Sequence, residues 1–172
     1  MFSNCASLTS LDLSTFNTSK VTEMRNLFYG CSSLEEIQLF TNTSNVTTMA
    51  GMFRDCASLK SIDLSHMDTS NVTDMGDMFA HCKTITTLDL SNFNTNKVTN
   101  MSYMFDDCTE LNPLDVSNFN TSNVTDMKGM FKDCVSLTSI DVSNFNTSNV
   151  IEMDKMFYND TSLKKLDLSN FN

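Results

Sequence analysis

One block of about 26 residues recurs along nearly the whole of this chain, clearest in Leu114–Ser139 and again from Ile140. A fixed period of that length limits the fold to a stack of equivalent coils, because each unit is too small to bury its own apolar face and must share a core with its neighbours. The copies align on a short alternating triplet: Leu11-Asp12-Leu13, Ile37-Gln38-Leu39, Ile62-Asp63-Leu64, Leu88-Asp89-Leu90, Leu114-Asp115-Val116, Ile140-Asp141-Val142 and Leu166-Asp167-Leu168. Every spacing is 26 except that from Ile37 to Ile62, which is 25. The missing residue falls in Phe40-Thr41-Asn42, a connecting segment that can absorb it. Residues 1–172 are thus expected to form a single array, with six full repeats starting at Leu11, Ile37, Ile62, Leu88, Leu114 and Ile140 and partial repeats at both ends. Since both ends fall inside a repeat, a piece of a longer array is expected.

Two patterns follow each other within a unit. Leu11-Asp12-Leu13-Ser14 alternates, as in a short strand that turns Leu11 and Leu13 inward and Asp12 and Ser14 outward. Farther on, Met24, Leu27, Phe28, Cys31 and Leu34 are spaced as one stripe of a helix, with Thr22 as N-cap and Glu23 as an acid in the first turn. The stripe returns as Met127, Met130, Phe131, Cys134 and Leu137. The expected fold is an α/β solenoid, one short strand plus one short helix per repeat. With four glycines, and Pro113 the single proline, the turns fall to Asn, Asp, Ser and Thr, whose side chains can bond nearby backbone.

The run Leu8-x-x-Leu11-x-Leu13 has the strand pattern of leucine-rich repeats, and Asn-Thr-Ser-x-Val-Thr-x-Met-x-x-Met-Phe recurs almost verbatim. With Val21, Phe28 and Cys31, these residues resemble the BspA-like branch of leucine-rich repeats, in its Met-Phe-x-x-Cys variety of bacterial surface proteins. The likeness spans essentially the whole chain. It departs at Phe40–Asn42, at Met67 where other copies carry Phe93 or Phe119, and at Asp160 where a cysteine is expected. It implies a right-handed coil on a cell surface or secreted, in proteins credited with adhesion to host matrix or to other cells.

Six cysteines occupy a single phase, Cys5, Cys31, Cys56, Cys82, Cys108 and Cys134. Stacked coils hold equivalent side chains about 4.8 Å or more apart, wider than the ~3.5–4.5 Å Cβ separation of a disulfide. They are expected as a core ladder of free thiols, with no Cys-x-x-Cys pair to suggest zinc. Met49, Met52 and Phe53, repeated as Met75, Met78 and Phe79 and as Met101, Met104 and Phe105, are expected core.

The candidate partner-binding face is an outward row of acids: Asp12, Asp63, Asp89, Asp115, Asp141 and Asp167, interrupted by Gln38. Like charges on neighbouring strands repel, so something must offset them. Hydroxyls of Ser14, Ser65, Ser91 and Ser117 can donate to the carboxylates; calcium bridging the coils, or a basic groove on a partner, are the alternatives. A second polar array, Thr43-Ser44-Asn45, Thr69-Ser70-Asn71, Thr121-Ser122-Asn123 and Thr147-Ser148-Asn149 with Thr22, Thr47, Thr73, Thr99 and Thr125 beside it, is expected to be exposed. It suits turn making, or a repetitive ligand such as glycan or ice.

The net charge of −10 argues against nucleic acid and against charge-driven binding to an anionic membrane, and no apolar run is long enough for direct membrane insertion. Catalysis needs different residues converging, and the breaks in the pattern, among them His66, Met67, Asp68, His81, Asn112, Pro113 and Ile151, form no nucleophile, base and orienting group. No catalytic residue, cofactor or resident metal is expected. The expected function is a non-enzymatic surface module for adhesion or protein binding, with host matrix or cell-surface proteins as partners. A structural spacer and a glycan or ice binder are the alternatives. Uncapped ends are expected to associate end to end.

Overall fold

Successive coils of a solenoid run in the same direction past the same point, so whatever pairs them must be parallel. The structure, a computed structural model, describes residues 1–172. β1 (Ser10–Asp12) and β2 (Glu36–Gln38) pair in parallel, with Ser10 opposite Glu36, Leu11 opposite Ile37 and Asp12 opposite Gln38. Farther along the stack a single parallel bridge, Leu88 to Leu114, marks the same position. A second line of parallel bridges runs from Glu23 through Thr48, Asp74, Asn100 and Asp126 to Glu152. The chain is therefore a repeat solenoid whose coils are laced together on more than one side.

The expected helix is not formed, either over Met24–Leu34 or over Met127–Leu137; the structure contains two short strands and no helix. The reason lies in two positions per coil. Asn26 and Gly30 have φ of 55° and 71°, and the equivalent residues Gly51 and Asp55, Asp77 and His81, Tyr103 and Asp107, Gly129 and Asp133, and Lys155 and Asn159 are likewise left-handed. A left-handed residue every four ends a right-handed helix before it completes a turn. Met24–Leu27 and Phe28–Cys31 are instead two four-residue turns in tandem. Leu27 N–H donates to Met24 O at 3.3 Å and Cys31 N–H to Phe28 O at 3.1 Å, with the left-handed residue third in each turn, as a type II turn requires. Four-residue turns in tandem also bring i, i+3, i+4 and i+7 inward, so they reproduce the helical stripe without the helix.

Every second amide of this segment points out of its own coil. Met24, Asn26, Phe28 and Gly30 donate to the carbonyls of Thr48, Ala50, Met52 and Arg54 in the next coil at 2.9–3.0 Å. Thr22 is not an N-cap; its carbonyl accepts the amide of Thr47 at 2.8 Å. At Gly30 a Cβ would lie 2.5 Å from Asn4 Oδ1, so a side chain there requires the exposed Asn4 side chain to turn aside. No helix is long and apolar enough to cross a membrane.

The inward residues form one continuous core from coil to coil. Its spine is a column of rings, Phe2, Phe28, Phe53, Phe79, Phe105, Phe131 and Phe157, with centroids 5.4–5.9 Å apart and planes within 4–15° of parallel. Each neighbouring pair contributes on the order of 0.5–1.5 kcal/mol beyond its area burial. The short repeat is absorbed at its link. Met67, Phe93, Phe119 and Phe145 each close a turn onto the carbonyl three residues back, whereas Phe40–Asn42 lacks that turn. Phe40 still enters the core, 1 % exposed, as does Met67 at 2 %.

Two outcomes follow from this architecture. Far-UV circular dichroism of the folded chain is expected to show no helical signature, and a helical spectrum would contradict the tandem turns. Phe105→Ala, which removes a ring stacked on both faces, is expected to lower stability by about 3–5 kcal/mol in urea unfolding.

Candidate protein-binding face

The outward residue of each triplet stands where the chain turns away from the strand face, and its carboxylate closes that turn. Asp12 Oδ1 accepts the Ser14 amide at 2.9 Å, and the same bond joins Asp63 to Ser65, Asp89 to Ser91, Asp115 to Ser117, Asp141 to Ser143 and Asp167 to Ser169 at 2.9–3.0 Å. All six acids are exposed. The serine hydroxyl, then its amide, holds Asp12, Asp63, Asp89 and Asp141 below the ordinary carboxylate value; at Asp115 and Asp167 the amide acts first and the hydroxyl second. Repulsion along the row, as of Asp63 on Asp89, works in the opposite direction and is the smaller effect. The local turn therefore outweighs the like-charge row.

In the later coils an asparagine side chain ties each strand exit to the coil before it. Asn92 Nδ2 donates to the carbonyls of Leu64 and Met67 at 3.0 and 2.9 Å, Asn118 to Leu90 and Phe93 at 2.9 and 3.0 Å, and Asn144 to Phe119 at 2.9 Å. Thr15, Thr41 and His66 stand in that position in the first three full repeats. There the strand face opens into two adjoining hollows of about 420 and 390 Å³ that share Ile37, Gln38 and Asp63. Asp12, Glu35 and Glu36 line the first; Phe40, Thr41, His66 and Met67 line the second. Together they form one groove across Gln38, with apolar Leu11, Ile37 and Ile62 in its wall. Glu35 is ion-paired with Lys60 at 2.8 Å, which lowers its pKa, first through the hydrogen bond and then through charge.

Stacking thus gathers departures from the repeat that lie far apart in sequence: Gln38, the shortened link, His66 and Met67. Other departures lie elsewhere. His81 sits at a left-handed position of the turn array, its Nδ1 3.1 Å from Asp107 Oδ2. Asn112 Oδ1 accepts from the Thr138 hydroxyl at 3.2 Å, and Ile151 is exposed. The adjacent acids Glu35 and Glu36 carry a signal in the sequence that the outward Asp row does not, since no other repeat has two acids at that place.

The threonine rows divide into two kinds. Thr43, Thr69, Thr121 and Thr147 are buried, which corrects the expectation that they are exposed. Thr69 Oγ1 donates to Asn94 O at 3.0 Å and accepts Asn94 N–H at 2.7 Å, and Thr121 does the same with Asn146. Thr47, Thr73, Thr99 and Thr125 are exposed, but each hydroxyl donates to the threonine carbonyl of the preceding coil at 3.1–3.2 Å. Their protons are committed to backbone, which leaves little of a hydroxyl array for a glycan or ice.

Cys31, Cys56, Cys82, Cys108 and Cys134 are buried free thiols; Cys5, expected in the same core ladder, is exposed instead. Each buried Sγ donates to a phenylalanine carbonyl of the preceding coil, from Phe2 to Phe105, at 3.1–3.3 Å. Burial pushes the Cys56 thiol up to about 12 and raises Cys82, Cys108 and Cys134 as well, so these are inert hydrogen-bond donors at neutral pH.

The family model described as a Mycoplasma protein of unknown function, DUF285, matches residues 1–113 and again residues 81–172. The chain belongs to the DUF285 family. Among solved structures, a leucine-rich-repeat protein of T. pallidum resembles this DUF285 chain with a TM-score of 0.62 and 22% identity, over 95% of this chain and 68% of that one. A leucine-rich cell-surface protein of Faecalibacterium prausnitzii A2-165 has a TM-score of 0.45 and 22% identity over 91% of this chain and 38% of its own. A leucine-rich-repeat protein of Bacteroides ovatus has a TM-score of 0.34 and 21% identity over 95% of this chain and 56% of its own. A search of the curated proteins gives no match. The DUF285 array therefore has a leucine-rich-repeat fold, in line with the BspA-like pattern of its sequence, with tandem turns where a helix was expected.

The acid row of the DUF285 array has a definite pH signature. Carboxylates whose folded pKa is depressed add stability above their ordinary value, and it is lost as pH falls through the folded one. Urea midpoints are expected to drop below about pH 4, and Asp89→Asn with Asp115→Asn is expected to flatten that drop.

Proposed function

We propose that this DUF285 chain is a non-enzymatic, protein-binding module of a cell surface, and that it makes contact through the groove across Gln38 on the strand face. The observation that carries the reading is the coincidence of the groove with departures from a pattern that the remaining coils keep. A pure scaffold has no reason to break its rungs and its acid row at one place. The groove combines acids at its rim, Asp12, Glu36 and Asp63, with apolar Leu11, Ile37 and Ile62, which suits an extended segment carrying lysine or arginine beside apolar side chains. The rest of the acid row adds a field of the same sign that steers such a partner inward. Adhesion to host matrix or to another cell is the use to which the surface-protein likeness points.

The test is binding of the folded array to matrix glycoproteins and intact cells at two salt concentrations, with calcium present or chelated. Glu36→Lys with Asp63→Lys is expected to weaken binding roughly tenfold or more, and Asp115→Lys with Asp141→Lys much less. Equal losses from both pairs would move the contact to the whole acid row. Absence of binding under every condition would overturn the reading in favour of a structural spacer.

A further inference from the structure

Asp160 stands in the cysteine column, one coil beyond Cys134. In the coils before it, the phenylalanine carbonyl of each coil has two donors. Phe105 O accepts the Cys108 amide of its own coil at 3.2 Å and the Cys134 thiol of the next at 3.1 Å, and Phe79 O is served in the same way by Cys82 and Cys108. Phe131 O accepts its own Cys134 amide at 3.1 Å, but the side chain that should bring the second proton is a carboxyl.

That carboxyl is 9 % exposed, and its two oxygens are placed unequally. Oδ1 accepts the Cys134 amide at 2.9 Å, so one N–H is shared between the Phe131 carbonyl and the Asp160 carboxyl. Oδ2 is buried and receives no donor. An ionised carboxylate in this position is a half-satisfied charge that shares its one donor with another acceptor, which is costly away from water. No cation relieves it. The charged neighbour in the preceding coil is Asp133, of the same sign, and Lys132 is already bonded to Asp106 at 2.9 Å and Asp133 at 2.6 Å. The thiol of Cys134 beside it is neutral, raised by burial and then by its neighbours Cys108 and Asp160.

We infer that Asp160 is a carboxylic acid in the folded array, its Oδ2–H donated to the Phe131 carbonyl, and that its coil is latched by a titratable proton where the earlier coils use a thiol. Burial, partly opposed by the Cys134 amide and reinforced by Asp133, moves its pKa from 3.8 to about 7. A carboxyl with a raised folded pKa adds stability that is complete below its unfolded value of 3.8, declines as pH rises to about 7 and levels off above that. This window lies above that of the exposed acid row, so the two effects separate. The latch is closed in acid and weakened above neutrality.

The experiment follows the carboxyl carbon of Asp160 by NMR across pH in the whole chain, together with urea stability of wild type, Asp160→Asn and Asp160→Cys. Asp160 is expected to titrate near 7. Relative to either variant, the unfolding constant of wild type is expected to rise roughly tenfold per pH unit between about 4 and 7 and then to level off. Asp160→Cys, which restores the side chain of the other coils, is expected to exceed wild type in stability at pH 8. Titration of Asp160 in the ordinary carboxylate range, or parallel pH dependence of wild type and the variants, would overturn the inference. Should Asp160→Asn fail to fold, the NMR titration and Asp160→Cys decide it.

Discussion

Everything in this molecule depends on backbone amides that bond to the next coil instead of to their own. A helix satisfies itself within one segment, whereas the tandem turns around Phe28 and Phe53 leave every second amide directed at the neighbouring coil. One coil alone would expose those amides together with an apolar face, so it has no stable form of its own. The left-handed residues are the price of that arrangement, and the chain meets it with Asn, Asp and Gly at most of these positions, where positive φ costs least.

Once the coils are in register, each side-chain column repeats one bond along the stack. The phenylalanine rings stack, the thiols reach a carbonyl one coil back, the buried threonines clasp one coil forward, and the aspartates close a turn within their own coil. Such columns tie stability to neighbours and leave little chemistry free at the surface. This bears on function: the exposed threonine hydroxyls and the acid row are both engaged by the protein itself, so regularity alone does not make a binding surface. The groove across Gln38 differs because the asparagine rungs are missing there and the acids Glu35 and Glu36 are added.

Much of this was legible in the residues. The alternating triplets gave the strands at Leu11 and Ile37 and the bridge from Leu88 to Leu114, although the triplets at Ile62, Ile140 and Leu166 form no strand; the Met-Phe-x-x-Cys phase gave the inward columns, and the cysteine spacing pointed to free thiols. The error over Met24–Leu34 has a physical cause, since a helix and tandem four-residue turns turn the same side chains inward. Composition down the columns did separate them. Asn4, Gly30, Asp55, Asp107, Asp133 and Asn159 share one position with His81, and Asn26, Gly51, Asp77 and Gly129 share the other with Tyr103 and Lys155, for the most part residues suited to left-handed backbone and poor for a helix. The Thr-Ser-Asn rows read as an exposed hydroxyl array, whereas the burial of Thr69 and Thr121 rests on partners one coil away that no local pattern displays.

By itself the sequence determined the period, the inward columns and the acid-bearing turn, because each is written within a single repeat and copied along the chain. Only the tertiary structure decided which carbonyl each thiol and threonine reaches, that Gln38 and His66 line one groove, and that the Asp160 carboxyl lies buried against the Phe131 rung. Those relations join residues a whole coil apart, and their distances are set by how the coils stack, which the order of residues within one coil does not specify.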